Sequence, residues 1–283
     1  MRRPTLLMLC LGSAVALSAC DKSGESEVDR AIQTVNAIED NDLSDIMLTV
    51  ADANEAVNYF KRTSAEHPDK IDLQRNLAKS LVRAKHNTEA AAAWSKVVKH
   101  PEATKADQVD YADALIRAGN WDRAEQVLDA VPPTYETFDR YKLEAMIADK
   151  NEEWKKSDSF YETAVGLTTK PSSVLNNWGY SKLSRGDYRE AERLFGEAIQ
   201  YDRHLFTAKN NLILARGAQR NYQMPIFEMT QVERSQLLHT MALAAIKQGD
   251  VSIGRSLLQD AIDTNPQHFE AAVNSLEALG PTE

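Results

Sequence analysis

The sequence predicts an all-α solenoid built from antiparallel helix pairs. Three observations predict it. The same pattern returns every 34 residues, with one interval of 33 and a shortened last interval. A fixed period in that range is the mark of stacked repeats. Within each period, small residues recur at two positions and a large apolar residue at a third. The chain also has only 11 Gly and 9 Pro in 283 residues, with 43% hydrophobic and 27% charged residues. That composition is globular and favours helix.

The first twenty residues stand apart. Arg2 and Arg3 form a positive start, and Leu6 to Leu17 form a mainly apolar stretch of twelve residues. As a helix it reaches about 18 Å, short of the ~30 Å hydrocarbon core of a bilayer. It therefore reads as a secretory signal, residues 1–19, rather than a membrane span. Its end, Leu17-Ser18-Ala19-Cys20, resembles the lipobox of bacterial lipoproteins. The resemblance implies cleavage after Ala19 and a diacylglycerol thioether on the Cys20 thiol. Cys10 lies inside the segment to be removed, so no disulfide or cysteine-metal site is left for the mature domain. The expected cofactor set is empty apart from that covalent lipid. Residues 20–26 form a polar tether.

Helix pairs start at Ala37, Ile71, Lys105, Phe138, Ser172, Phe206 and Ser235. Position 8 of the repeat carries Ala78, Ala112, Ala145, Gly179 and Ala242. Position 20 carries Ala56, Ala90, Ala124, Ser157, Ala191 and Gly254. Position 24 carries Phe60, Trp94, Leu128, Tyr161, Phe195 and Leu258. Two helices cross closely where small residues face a large knob. Gly119, Gly186 and Gly249 fall at the turn inside the pair, where a left-handed residue ends the first helix. The clearest unit is Asn176 to Ile199, NNWGYSKLSRGDYREAERLFGEAI. This pattern resembles the tetratricopeptide repeat over most of residues 37–266, which implies a right-handed superhelical solenoid.

Two segments depart from the repeat. The unit from Phe206 has Ile213 where a small residue is expected, and its second helix is missing. Asn221 to Thr230 stands there instead, with Pro225 disfavouring helix and Tyr222, Met224 and Ile226 alternating as in extended chain. Residues Gln267–Leu279 read as a capping helix, because a solenoid must cover its open end. The division expected is thus 27–218 for the array with an N-terminal capping helix, 219–234 for the extended insert, and 235–283 for the last repeat and cap.

The formal net charge is −9, and −11 without Arg2 and Arg3. With no basic stripe, such a surface repels nucleic acid. There is no HExxH, GxSxG, P-loop or GxGxxG, and the six histidines are scattered. No catalytic residue, metal site or small-molecule substrate is therefore assigned. The resemblance to tetratricopeptide arrays instead implies a binding groove lined by positions 2, 5, 6, 9, 12 and 13 of the first helix. Position 6 holds Asn76, Asn177 and Asn211, and position 5 holds Asn176 and Asn210. An amide both donates and accepts, so it suits the backbone of an extended peptide. Arg75, Lys79 and Arg83 add a local basic patch on the same face, and Tyr180 supplies a ring for stacking. The competing reading is a solvated helix surface with the asparagines bonding within their own array.

Lipobox, repeat array and closing segment together resemble the TadD family. These are the tetratricopeptide lipoproteins of the tight-adherence (Flp) pilus assembly system. That resemblance implies a membrane-tethered adaptor facing the periplasm, with the pilus secretin or other assembly components as partners. Asp21 after the lipidated cysteine resembles an inner-membrane retention signal, and Lys22 weakens it. The outer membrane is favoured over the inner by a modest margin. An adaptor for a peptidoglycan hydrolase or protease, and a factor for outer-membrane protein assembly, remain open beside it.

Overall fold

In the computed structural model, residues 43–280 are described, and they are helical with no strand among them. The signal segment, Cys20, the tether and the expected N-terminal capping helix lie outside the described residues.

Fourteen helices follow one another among the described residues. Helix α1 is described over 43–49. Then come α2 (Ala53–Glu66), α3 (Ile71–Arg83), α4 (Asn87–Val97), α5 (Lys105–Arg117), α6 (Trp121–Asp129) and α7 (Phe138–Lys150). These are followed by α8 (Trp154–Gly166), α9 (Ser172–Ser184), α10 (Tyr188–Tyr201) and α11 (Phe206–Ala218). The chain closes with α12 (Gln231–Lys247), α13 (Val251–Thr264) and α14 (Glu270–Ala278). From α2 onward each helix packs on its neighbours in the chain, and α9 also meets α7 and α11. First helices of successive repeats thus lie side by side on one wall.

Five first helices begin at Ile71, Lys105, Phe138, Ser172 and Phe206, the starts set by the period. The reason they pair is visible in burial. Phe60, Leu128, Phe195 and Leu258 are 0% exposed, and Trp94 and Tyr161 nearly so. The small residues opposite them, including Ala78, Ala112, Ala145 and Ala191, are also fully buried. At Gly179 the fit is closest. A Cβ there would lie 2.7 Å from the Phe195 ring.

The same turn ends six of the first helices. Lys85, Gly119, Glu152, Gly186, Arg220 and Gly249 all have φ between +57° and +85°, and all occupy position 15. The residue after each donates its N–H to the carbonyl five residues back, as in His86 to Leu81 O, Asn120 to Leu115 O and Asp250 to Ala245 O. This is the Schellman end of a helix, which needs one left-handed residue. Glycine takes that conformation freely; Lys85, Glu152 and Arg220 take it at a cost.

One start differs. Helix α12 begins at Gln231, four residues before Ser235. Thr230 and Glu233 form a reciprocal capping box there, which adds a turn to the helix. Residues 231–234 are therefore helix rather than insert. Ser235 keeps its repeat position, since Gly249 falls fourteen residues after it at the turn.

Residues 221–230 contain no helix. Their side chains take the place of the missing second helix: Tyr222, Met224, Phe227 and Met229 pack against Ile213, Leu237 and Met241. Ile213 is 0% exposed. A larger residue stands at position 8 there because no helical knob arrives to fill the space. Ile226 does not join this packing; it is fully exposed. At the far end, Ala272 and Leu276 of α14 cover Leu258 and Ala261 of α13.

Candidate functional site

The first helices present a groove that crosses three repeats. It has a volume of about 500 Å³. Met146, Asp149 and Lys150 of α7, Asn176, Asn177, Tyr180, Ser181 and Ser184 of α9, and Thr207 and Asn211 of α11 line it. Trp121, Trp154 and Tyr161, from second helices, complete the wall. Successive first helices hold their residues in register, so residues far apart in sequence converge. Four expected site residues meet here: Asn176, Asn177, Tyr180 and Asn211.

The amides divide their bonds. Asn211, 8% exposed, donates Nδ2–H to Asn176 Oδ1 at 3.0 Å. Asn177 donates weakly to the Met146 sulfur at 3.6 Å. Asn210 is absent from the groove lining; its Oδ1 accepts from Thr240 Oγ1 at 2.8 Å and ties α11 to α12. Bonding within the array, the competing reading of the sequence, thus describes Asn210 and the Asn211–Asn176 pair. Asn177 Oδ1 and Asn176 Nδ2 have no hydrogen-bond partner among the described residues. Tyr180 is 58% exposed.

The carboxylate of Asp149 sits at the floor. It accepts from Ser181 Oγ at 2.7 Å, Tyr161 Oη at 2.9 Å and Ser157 Oγ. Burial, and then that carboxylate, hold the Tyr161 phenol far above its ordinary pKa, so it stays a donor. The aromatic wall is braced from behind. The Tyr161 ring stacks on Trp178 with centroids 6.1 Å apart. The Arg185 guanidinium lies 5.3 Å from the Trp154 ring centre and is pinned to Asp158. Trp178 Nε1 and Lys182 Nζ also donate to Asp158, at 2.7 and 2.9 Å.

The expected basic patch is not an open patch. Arg75 donates to both carboxylate oxygens of Asp107 at 2.8 Å, and also to Asp72 and the Glu102 carbonyl. Asp107 is buried and belongs to the capping box of α5. Burial opposes its charge, but Arg75 and Thr104 hold its carboxyl below the ordinary range. Arg83 donates to the carbonyls of Leu48 and Ala51, closing the end of α1. Both guanidiniums are inter-repeat fasteners, and Lys79 alone is exposed. Asn76 lines a separate depression of about 450 Å³ beside Lys70 and Asp72. Position 6 between the two sites holds Asp110 and then Leu143, 1% exposed, so the asparagine series is interrupted.

Asp110 has a consequence for pH. Burial, with Asp139, Asp113 and Asp107 nearby and only Lys79 opposing, pushes its carboxyl up to about 6. The folded state then binds more protons than the unfolded chain between the ordinary Asp range near 4 and pH 6. Stability from this group accordingly falls as pH rises through 6. Asp110→Asn, the residue other repeats carry here, is expected to raise stability by about 1 kcal/mol at pH 7, after solvent screening. The gain should vanish near pH 4. Thermal melts of both proteins across that range check it; a gain that grows on acidification would contradict the assignment.

Of the residues lining this groove, the sequence singles out Asn176, Asn177, Tyr180 and Asn211, and not Asp149, Met146, Thr207 or the tryptophans. Three of these signals were present: Met146, Asp149 and Thr207 occupy groove positions 9, 12 and 2. Trp121 and Trp154 carried none, because groove positions were assigned only to first helices. Among the described residues, no group of three or more His, Cys, Asp or Glu is placed to hold a metal ion. Nor is any described helix long and apolar enough to cross a membrane.

The tetratricopeptide-repeat family profile matches residues 75–136, which covers the second helix pair from Arg75 and the third. The fold is a right-handed tetratricopeptide-repeat solenoid. Solved structures align over most of this solenoid. A tetratricopeptide repeat protein from Parabacteroides merdae is 12% identical with a TM-score of 0.55, over 83% of this chain and 95% of that one. The Cut9–Hcn1 hetero-tetramer of the APC/C gives 14% identity and a TM-score of 0.59, over 81% of this chain and 46% of that one. The human IFIT1 dimer with PPP-AAAA gives 14% and 0.55, over 80% and 59%. The solenoid thus spans less than two thirds of the last two chains. At these identities the likeness concerns the fold alone. No curated protein matches by sequence.

Proposed function

We propose that this tetratricopeptide solenoid is a non-catalytic, membrane-tethered scaffold that holds an extended segment of a partner protein in its concave groove. The observation that carries the reading is the open amide capacity of Asn176 and Asn177 beside exposed Tyr180, in a groove spanning three repeats. An extended backbone offers N–H and C=O at regular intervals and needs such partners. Concave repeat surfaces are well suited to this task. The tether rests on Arg2, Arg3 and the Leu17-Ser18-Ala19-Cys20 motif. The resemblance to tight-adherence lipoproteins points to pilus assembly, with the secretin as partner. The periplasm-facing outer membrane is the proposed location.

Two variants separate the parts of this reading. Cys20→Ser should appear in the soluble fraction or stay unprocessed. Membrane fractionation at the mature size would remove the lipid anchor from the proposal. Asn177→Ala with Tyr180→Ala should leave the melting temperature nearly unchanged, since neither side chain is buried and surface changes stay within about 0.5 kcal/mol. Crosslinked secretin recovered from membranes should fall several-fold. Undiminished recovery with the double variant would overturn groove binding.

A further inference from the structure

We infer that the groove selects a partner segment carrying a lysine or arginine side chain, seated between the aromatic wall and the Asp149 carboxylate. The inference rests on the groove reading above and adds its specificity. Three neutral hydroxyls, from Ser181, Tyr161 and Ser157, orient the Asp149 carboxylate without neutralising it. No Lys or Arg among the described residues makes an ion pair with Asp149; the neighbouring acid Asp158, by contrast, is matched by both Lys182 and Arg185. The floor of the groove therefore keeps a net negative charge, in a partly desolvated setting where a charge acts more strongly than in water.

The walls carry the same sign. Trp121, Trp154 and Tyr180 line the same space, and the face of an aromatic ring is the negative pole of its quadrupole. The geometry of Arg185 over Trp154 shows that this ring already accepts a guanidinium. One cation does line the groove: Lys150, which is exposed. An acidic partner side chain would meet Asp149 at the floor; an apolar one would leave the carboxylate covered and unmatched, which is costly. A basic side chain answers both the charge and the rings, while the flanking backbone meets Asn176 and Asn177.

The test uses the full-length chain in detergent micelles and a pool of short degenerate peptides, with bound peptides sequenced. For the wild type, Lys and Arg should be enriched at one peptide position. Asp149→Asn should lower that enrichment about ten-fold, the scale of one charge-assisted contact, while the pool still binds. Because Asp149→Asn disturbs three hydroxyl bonds, Lys150→Glu is the companion: it touches none of them, and should raise the enrichment. Binding without basic enrichment, or enrichment indifferent to both variants, overturns the charge inference. If that binding is still lost in the Asn177→Ala, Tyr180→Ala protein, groove binding survives it. A pool that binds neither protein, or both equally, overturns groove binding and the inference with it.

Discussion

Lys209→Met is expected to destabilise the protein by about 3 kcal/mol, the low end of the cost of breaking a buried ion pair. Lys209 is 2% exposed. Its ammonium donates to the Glu228 carbonyl at 2.9 Å and to Glu233 Oε1 at 3.2 Å, and lies 5.7 Å from the Phe227 ring centre. It thus fastens the extended segment and the start of α12 to α11. Methionine keeps the length and packing but removes the charge. The Glu228 carbonyl then loses its donor and Glu233 its partner. The cost stays at the low end because Glu233 is 23% exposed and still accepts from Thr230 N–H. Thermal unfolding gives the magnitude, and limited proteolysis gives the location. Cleavage should rise within residues 221–230. An unchanged melt with unchanged cleavage would mean that the apolar contacts of Tyr222, Met224 and Phe227 hold the segment without help.

Phe195→Ala should cost about 3–5 kcal/mol, as expected for a fully buried ring whose cavity cannot collapse. More telling is its coupling to Gly179. Gly179→Leu alone should cost about 1–3 kcal/mol by overpacking, because even a Cβ there would press on the ring at 2.7 Å. Together the two changes exchange large for small across one crossing, so the new leucine occupies the room the ring left. The double variant should be more stable than the sum of the singles requires, by at least about 1 kcal/mol. Denaturant unfolding of the four proteins measures this. Simple additivity would show that the two residues do not meet.

These two predictions differ in how far the sequence alone reached them. The Gly179–Phe195 contact follows from repeat positions 8 and 24, because a small residue facing a large one is a local pattern repeated many times. The role of Lys209 does not follow. It has an ordinary surface residue's letter at a helical position, and its partners lie 19 and 24 residues away across a segment with no period. Arg75 is similar. Its face was legible, but its engagement with Asp107, 32 residues on, depends on how closely adjacent repeats stack.

The binding groove divides along the same line. The sequence placed asparagines at positions 5 and 6 of first helices and one tyrosine at position 9. It could not separate Asn177, which keeps an open carbonyl, from Asn210, whose carbonyl is taken by Thr240. An amide looks the same in either setting, and only the neighbouring helix decides which it faces. Trp121 and Trp154 begin second helices, yet reach the groove because the superhelix turns them toward it.

What the sequence by itself determined was the period, the pairing of helices and the start of five of them. Each of these depends on contacts within one unit of about thirty-four residues. The common left-handed turn belongs half to each side: glycine announces it at 119, 186 and 249, while Lys85, Glu152 and Arg220 adopt it unannounced. There the stacked helices impose the angle, and their packing outweighs a local strain of about 1–2 kcal/mol. The Asp149 floor, the clamped insert and the fate of each guanidinium were decided only by the tertiary structure, since each depends on side chains from different repeats meeting at distances set by the stacking.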